Sequence, residues 1–87
     1  MPTPEIIERV KQLHDDLSAT QPDPARQPAV DELKAELQTV MLEPDHAPHY
    51  KSLSDKLLFH YVGFQIDHPK LAGSMQGLVE SLARAGL

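Results

Sequence analysis

Apolar residues recur along the chain at spacings of three and four, a pattern typical of amphipathic α-helices that pack on a core. Four such segments predict helices over residues 4–19, 28–42, 52–66 and 69–85. No alternating β-branched segment and no hairpin turn is present, so we predict no strand. The apolar positions that set the four periods are Ile6, Val10, Leu13, Leu17, Val30, Leu33, Leu37, Val40, Leu53, Leu57, Tyr61, Phe64, Leu71, Met75, Leu78 and Leu82.

Prolines separate these segments, because a proline in a helix interior removes a hydrogen bond and clashes with the preceding turn. Residues 20–27 form a proline-marked linker, Pro44 ends the second helix, and Asp67-His68-Pro69 divides the third from the fourth. Ser52-Leu53-Ser54-Asp55 has the form of a capping box, which predicts that the third helix starts there. Gly86 stands where a C-terminal cap glycine belongs.

We therefore predict a single all-α domain over residues 1–87, built from four short amphipathic helices. Helices 3 and 4 should form an antiparallel hairpin, since a short connection favours antiparallel neighbours. Helices 1 and 2 either pack against this hairpin or pair across a dimer, so a bundle-like fold and an intertwined dimer both remain open. A chain of this size buries a thin core and often gains stability by pairing with a copy of itself.

Helix 3 has an unusually wide apolar surface. Its core stripe is extended by Leu58, Phe59, Val62 and Ile66 to an arc of about 240°, far wider than a surface helix needs. We interpret it as the central helix, contacted from two or more sides. Either the other helices surround it, or one side meets another subunit. Phe59, Val62 and Ile66 are candidate interface residues in the second case.

His60 lies in the apolar seam between Leu57 and Phe64. A polar residue in such a seam can fix the register or the oligomeric state of helices. It can also make an interface sensitive to pH. The alternative interpretation is a partly buried histidine that is bonded to a carbonyl group or to water.

Helix 4 carries a stripe of small residues beside its leucine stripe. Gly73 and Gly77 each cost about 1 kcal/mol relative to alanine in a helix interior. Close approach of another helix would compensate for this cost, which makes both glycines interface candidates. The alternative is that these positions are exposed and tolerate glycine.

The net charge of −5 is unevenly distributed. Residues 1–50 hold ten acidic and four basic residues, whereas residues 51–87 hold three acidic and four basic residues. Nucleic-acid backbones require clustered Lys and Arg, so we expect no nucleic-acid partner. The chain has neither a membrane-length apolar segment nor a strongly basic amphipathic face, so we expect no membrane partner.

The chemistry that the chain can carry is limited. It has no cysteine, which excludes disulfides, thiol nucleophiles and cysteine-ligated metal sites. No catalytic motif or Gly-rich phosphate loop occurs, and the adjacent His14 and Asp15 do not face each other on a helix. We therefore expect no enzymatic activity and no cofactor. No signal-peptide pattern is visible, and we expect a cytoplasmic location.

One segment, Asp45-His46-Ala47-Pro48-His49, has a spacing that suits a metal. Two imidazoles and a carboxylate close together can bind Zn²⁺ or Ni²⁺. We expect this segment to be a loop, because Pro44 precedes it and Pro48 lies within it. The candidate ligands are Asp45, His46 and His49, and the alternative is a solvated loop without a metal.

Two elements carry a resemblance to a known family. The Leu13-His14…Leu17 element, and the ending Phe64…His68-Pro69-x-Leu71…Leu78…Leu82…Gly86, resemble a family of short bacterial proteins catalogued as a domain of unknown function. Gln65 occupies a position that we associate with a glutamate in that family. The resemblance implies a bacterial, cytoplasmic, all-α protein, and it implies no activity, cofactor or catalytic residue.

Two functional hypotheses follow. The first is a non-enzymatic protein–protein interaction or oligomerisation module, whose partner is a second copy or an unidentified bacterial protein. It depends on the wide apolar arc of helix 3. The second is a metal-responsive binding protein that uses the His46 and His49 segment.

Overall fold

The structure is a computed structural model, and it describes residues 3–87. These residues form four successive α-helices. The helices are α1 (Pro4–Ala19), α2 (Gln27–Leu42), α3 (Ala47–Asp67) and α4 (Pro69–Arg84). No strand occurs among the described residues, so the predicted all-α fold is confirmed. The predicted bounds of α1, α2 and α4 agree with the structure to within one residue.

The predicted start of α3 near Ser52 is wrong, because the helix begins five residues earlier at Ala47. Pro48 lies in its first turn, where a proline is tolerated because its missing N–H would have no intrahelical partner. Tyr50 anchors this extra turn: its ring is fully buried and its hydroxyl donates a hydrogen bond to the carbonyl oxygen of Pro44 at 2.6 Å. Ser52 and Asp55 consequently lie inside the helix and form no cap.

The other helix ends follow the local sequence. The Oγ1 atom of Thr3 accepts a hydrogen bond from the Ile6 amide at 3.3 Å, and Pro4 follows in the first turn of α1. At the end of α4, Gly86 has a φ of 77°, which confirms the predicted cap glycine. The Leu87 amide donates to the Leu82 carbonyl at 2.9 Å, and the Gly86 amide donates to the Ala83 carbonyl at 3.1 Å. These two bonds form a Schellman motif.

The helices form a closed four-helix bundle. Each helix contacts two others: α1 packs on α2 and α4, and α3 packs on α2 and α4. Because the connections are short, consecutive helices run antiparallel, and α3 and α4 form the predicted hairpin with only His68 between them. The molecule measures 35 × 22 × 18 Å. Its long axis fits the length of α3, about 31 Å at 1.5 Å per residue.

The core lies between the four helices and is mainly aliphatic. Leu33, Leu37, Leu57 and Phe64 are fully inaccessible to solvent, and each helix contributes at least four buried side chains. The apolar positions predicted from the spacing are buried, apart from Tyr61, which is half-buried at the edge of the core. The buried apolar residues are Ile6, Val10, Leu13, Leu17, Ala29, Val30, Leu33, Leu37, Val40, Tyr50, Leu53, Leu57, Phe64, Leu71, Ala72, Met75, Leu78 and Leu82.

Ion pairs connect α2 and α3 at two positions along the helix pair. The guanidinium group of Arg26, at the start of α2, pairs with the Asp67 carboxylate at the end of α3. The Arg26 side chain lies directly over Gly63, where any larger side chain would displace it. Further along the pair, Lys56 Nζ donates to Glu36 Oε2 at 2.9 Å. These contacts fix how α3 sits against α2, and so which face of α3 remains uncovered.

Candidate functional site

One face of α3 presents four large apolar side chains to solvent. Leu58, Phe59, Val62 and Ile66 expose 59%, 82%, 64% and 75% of their surfaces. We call these four residues the α3 outer face. They fall within an arc of about 100° of the helix circumference, on the side opposite the buried residue Phe64. The outer face is therefore a continuous apolar strip and not a set of scattered residues.

The closed bundle explains why this strip is exposed. Within residues 3–87, α3 contacts α2 on one side and α4 on the other, and it does not contact α1. The possibility that the other helices surround α3 is therefore wrong. Phe59, which the sequence analysis named as an interface candidate, is the most exposed of the four residues. A contact between the outer face and another subunit stays a prediction.

A shallow groove borders the outer face on the α4 side. It has a volume of about 130 Å³ and shares Leu58 with the outer face. Its rim is closed on one side by a hydrogen bond from the Tyr61 hydroxyl to Gln76 Oε1 at 3.1 Å. The residues that line it are Leu57, Leu58, Tyr61, Met75, Gln76 and Val79. The groove extends the apolar surface that α3 offers towards α4.

His60 lies on the opposite border, between α3 and α2. Its side chain is only 15% exposed, and Nε2 lies 3.5 Å from Glu32 Oε1. That separation and alignment do not make a hydrogen bond, so Nε2 is buried without a hydrogen-bond partner among the described residues. The Phe59 ring meets the His60 ring edge-on, with centroids 5.0 Å apart. His60 therefore connects the α2–α3 contact to the outer face.

A partly buried ion pair lies one turn before His60. Burial would raise the pKa of Glu36, but hydrogen bonds from Ser52 and Lys56 outweigh it and hold that pKa below its ordinary value. The hydrogen bond to Glu36 raises the pKa of Lys56 above its ordinary value, with burial acting against it and the charges of Glu36 and Glu32 adding to it. Both groups are therefore charged near neutral pH.

At Gly73, the small-residue stripe of α4 is not covered by another of the described helices. A methyl group placed there would meet no neighbouring atom of residues 3–87 within 4 Å. A methyl group at Gly77 would lie 3.2 Å from the guanidinium of Arg9, a flexible side chain of α1. Any close helix approach at Gly73 must therefore come from another molecule, and the interface role of both glycines stays a prediction.

A second site lies at the turn between α2 and α3. Potential ligand atoms of Glu43, His46 and His49 all lie within 4.8 Å of one another. His49 Nε2 is 3.5 Å from Glu43 Oε1, and the His46 and His49 rings have centroids 4.2 Å apart. The structure brings together the two predicted histidines, but the carboxylate beside them belongs to Glu43. Asp45, the predicted third ligand, is not part of this group.

The remaining histidine of interest, His14, connects α1 to α2. Its Nε2 atom lies 3.2 Å from the Gln38 side-chain nitrogen, and its Nδ1 atom lies 3.8 Å from Asp15 Oδ1. The Gln38 contact crosses from α1 to α2, whereas the Asp15 contact lies within α1. A packing role accounts for His14 without any chemistry.

Residues 6–87 match the model of one protein family, described as Domain of unknown function (DUF4404). The match covers nearly the whole chain. The chain belongs to this family. Both the α3 outer face and the Glu43, His46 and His49 group lie within the part of the chain that matches DUF4404.

The other comparisons add no relative. No curated protein and no solved structure matches the chain. Across the described part of the chain, none of the helices combines the length and the apolar content that crossing a membrane requires.

Two features of these sites escaped the sequence analysis. Glu43, His46 and His49 stand at positions i, i+3 and i+6. This spacing places side chains on one side of successive helical turns, so it could have indicated Glu43 as the third ligand. The pairing of Arg26 with Asp67 joins residues far apart along the chain, and no sequence pattern indicates it.

Proposed function

We propose that the protein is a non-enzymatic oligomerisation module that pairs with a second copy of itself through the α3 outer face. The observation that carries this proposal is the exposure of Leu58, Phe59, Val62 and Ile66 side by side on one helix. Single exposed apolar residues are ordinary, but a contiguous apolar strip typically marks an interaction site. Burying it would remove apolar surface from water at a gain of about 25 cal/mol per Å².

The charge distribution favours a second copy as the occupant. Residues 1–50, which contain α1 and α2, carry ten acidic and four basic residues, so two such surfaces would repel each other. Residues 51–87, which contain the outer face, carry three acidic and four basic residues and are close to neutral. Pairing through α3 therefore brings together the nearly neutral halves of the two copies, which do not repel each other.

An antiparallel pairing of two α3 helices keeps like charges apart. A two-fold axis beside Val62 would place Leu58 of one copy against Ile66 of the other. Asp55 is exposed one turn before the strip begins. An antiparallel arrangement places the two Asp55 carboxylates at opposite ends of the paired strips, whereas a parallel arrangement would bring them to the same level, where they repel.

Analytical ultracentrifugation over a range of protein concentrations tests this proposal. We expect the wild type to form a dimer and a Phe59→Gln/Val62→Glu variant to remain monomeric, because the variant places polar groups at the centre of the strip. Leu42→Gln is the matched control, since Leu42 is 83% exposed but lies at the end of α2, outside the strip. It should dimerise as the wild type does, and circular dichroism should show that all three proteins are folded.

A wild type that is monomeric at every concentration would overturn the proposal and leave a different protein as the occupant of the strip. Dimerisation that survives in the Phe59→Gln/Val62→Glu variant would place the interface elsewhere. The antiparallel arrangement has its own test. Because the chain has no cysteine, oxidation of a mixture of Leu58→Cys and Ile66→Cys chains should give the mixed disulfide in an antiparallel dimer, whereas a parallel dimer should cross-link each variant to itself.

We also propose that this module functions in the bacterial cytoplasm. The chain resembles short bacterial proteins, and its lack of cysteine suits a reducing compartment, where disulfides would not form. Fractionation of the source cells, with the protein detected by antibody, tests the location. Recovery in the membrane or periplasmic fraction would contradict it.

A further inference from the structure

We propose that Glu43, His46 and His49 form a binding site for one divalent transition-metal ion, with Zn²⁺ as the ion that fits best. Two imidazole nitrogens and one carboxylate oxygen are a donor set that Zn²⁺ accepts in proteins. The site lies at the α2–α3 turn, well before the outer face begins at Leu58. It is therefore independent of the dimer proposed above, and either can fail without the other.

The backbone brings the three side chains to one side of the turn. The His46 amide donates to the Glu43 carbonyl at 3.1 Å, and the His49 amide donates to the His46 carbonyl at 3.0 Å. Two successive tight turns therefore stack residues i, i+3 and i+6. The bond from the Tyr50 hydroxyl to the Pro44 carbonyl holds this arrangement against the core. The ligands are thus positioned by ordered backbone and do not depend on a mobile loop.

The side-chain distances already approach those of a metal site. Tetrahedral Zn²⁺ with ligand distances of about 2.0–2.1 Å separates its ligand atoms by about 3.3 Å. His49 Nε2 lies 3.5 Å from Glu43 Oε1, and the widest separation in the group is within 4.8 Å. Glu43 and His46 are exposed, so small rotations of their side chains can close the remaining gap.

His49 supplies a separate indication that this site binds a cation. Its Nε2 atom is buried, and it has no hydrogen-bond partner among the described residues. Buried polar atoms are nearly always paired with protein, water or an ion, and a bound cation would supply the partner that His49 Nε2 lacks. This atom faces the Glu43 carboxylate, where a bound cation would satisfy both groups at once.

The electrostatic balance at the turn favours a cation. The N-terminus of α3 contributes about half a positive charge, which opposes cation binding. The carboxylates of Glu43 and Asp45 contribute two negative charges beside it. The net local charge is negative before the metal binds, so Asp45 assists as a nearby charge without being a ligand. Three protein ligands leave a fourth position for water or for a group from another molecule.

Isothermal titration calorimetry with Zn²⁺ tests this site. We expect one Zn²⁺ per chain in the wild type, and no measurable binding in a His46→Ala/His49→Ala variant. A His14→Ala/His68→Ala variant is the control for adventitious binding to surface histidines, and it should bind as the wild type does. His46 makes no side-chain capping bond, so its replacement should leave α3 intact by circular dichroism.

Two single variants decide which carboxylate is the ligand. Glu43→Gln should weaken Zn²⁺ binding by at least about tenfold, as loss of even an outer-shell partner does. Asp45→Asn should change the affinity much less. The thermal unfolding midpoint gives a second readout: Zn²⁺ should raise it in the wild type and in Asp45→Asn, and not in the His46→Ala/His49→Ala variant.

Two outcomes would overturn the proposal. The first is a wild type that shows neither heat nor a shift in the unfolding midpoint at millimolar Zn²⁺. The second is Zn²⁺ binding that persists unchanged in the His46→Ala/His49→Ala variant. Equal losses in Asp45→Asn and Glu43→Gln would keep a metal at the turn but reject the ligand set that the structure assigns.

Discussion

The ion pair between Glu36 and Lys56 makes the stability of the fold depend on pH. The pKa of Glu36 in the folded chain lies below its ordinary value of 4.5, so the unfolded chain binds this proton more readily. The contribution of Glu36 is therefore present above that ordinary value and is lost as the pH falls through the folded pKa. The pKa of Lys56 is raised above 10.5, so its contribution is lost only as the pH rises through that raised pKa.

We expect Lys56→Met to lower the free energy of unfolding by about 1 kcal/mol near pH 7, because the mostly buried Glu36 carboxylate loses its charged hydrogen-bond donor. This deficit should persist down to about pH 4.5 and shrink as the pH falls further, through the lowered pKa of folded Glu36. Urea denaturation at about pH 7 and about pH 3 measures it.

Lys51→Met is the matched control for the Lys56 variant. Lys51 pairs with Asp55 at 3.5 Å, but both side chains are well exposed, so the change in stability should stay below about 0.5 kcal/mol. A Lys56→Met deficit that is equal at both pH values would contradict the assigned pairing.

For single residues, the sequence predicted which residues could act as ligands better than it predicted which side chains lie next to them. His46 and His49 could be recognised as candidate ligands because imidazoles close together along the chain are visible in the sequence. Glu43 could not be preferred over Asp45 until the turn geometry was known, since the choice depends on which side of the turn each carboxylate occupies. The proximity of His60 to Glu32 could not be predicted either, because Glu32 lies on a different helix.

Replacing glycine by alanine should have opposite effects on stability at a position inside α4 and at the position just beyond its C-terminal end. Gly86→Ala should destabilise the fold by about 1 kcal/mol, because φ is 77° there and an alanine pays the cost of the left-handed conformation. Gly73→Ala should stabilise it by about 0.5–1 kcal/mol, because the site is helical, exposed and open on all sides within 4 Å.

Thermal unfolding of the two glycine variants at one protein concentration measures both effects. Shifts of several degrees in opposite directions are expected for a domain of this size. A Gly73→Ala variant that is less stable, or that loses dimerisation, would show that another molecule packs closely on the small-residue stripe.

The start of α3 shows why element boundaries are harder to predict than elements. Pro48 fits both a helix break and the first turn of a helix, so the sequence alone does not decide between them. The burial of Tyr50 and its bond to the Pro44 carbonyl decide the matter, and both depend on tertiary packing. The capping-box pattern at residues 52–55 was misleading, because the helix already begins at Ala47 and these residues lie in its interior.

For the molecule as a whole, the sequence predicted four helices and nearly all of the core. It did not predict the order in which they pack, because a stripe of apolar residues shows that a helix is covered without showing by which neighbour. The closing contact between α1 and α4 is a case of this kind. The same limit explains the outer face: Val62 and Phe64 are both apolar, and only the packing order shows that Val62 lies in solvent.

Because every helix shares one core, we expect the bundle to unfold as a single cooperative unit. Leu33, in α2, is fully buried, and Leu33→Ala should cost about 2–5 kcal/mol. That is a large part of the total stability expected for a chain of this length, roughly 0.05–0.15 kcal/mol per residue. Far-ultraviolet circular dichroism reports all four helices, whereas tyrosine fluorescence reports Tyr50 and Tyr61, which both lie on α3.

The two probes should give coincident urea transitions in the wild type and in Leu33→Ala, with the variant midpoint lowered for both. The chain has no tryptophan, so the tyrosine signal comes from α3 alone. Leu42→Ala is the matched control: the same substitution on the same helix at an exposed position should change stability by less than about 0.5 kcal/mol. A tyrosine transition that persists to higher urea than the helical signal would show that the α3–α4 hairpin is stable without α1 and α2. The α3 outer face would then be presented by that hairpin alone and would not depend on the closed bundle.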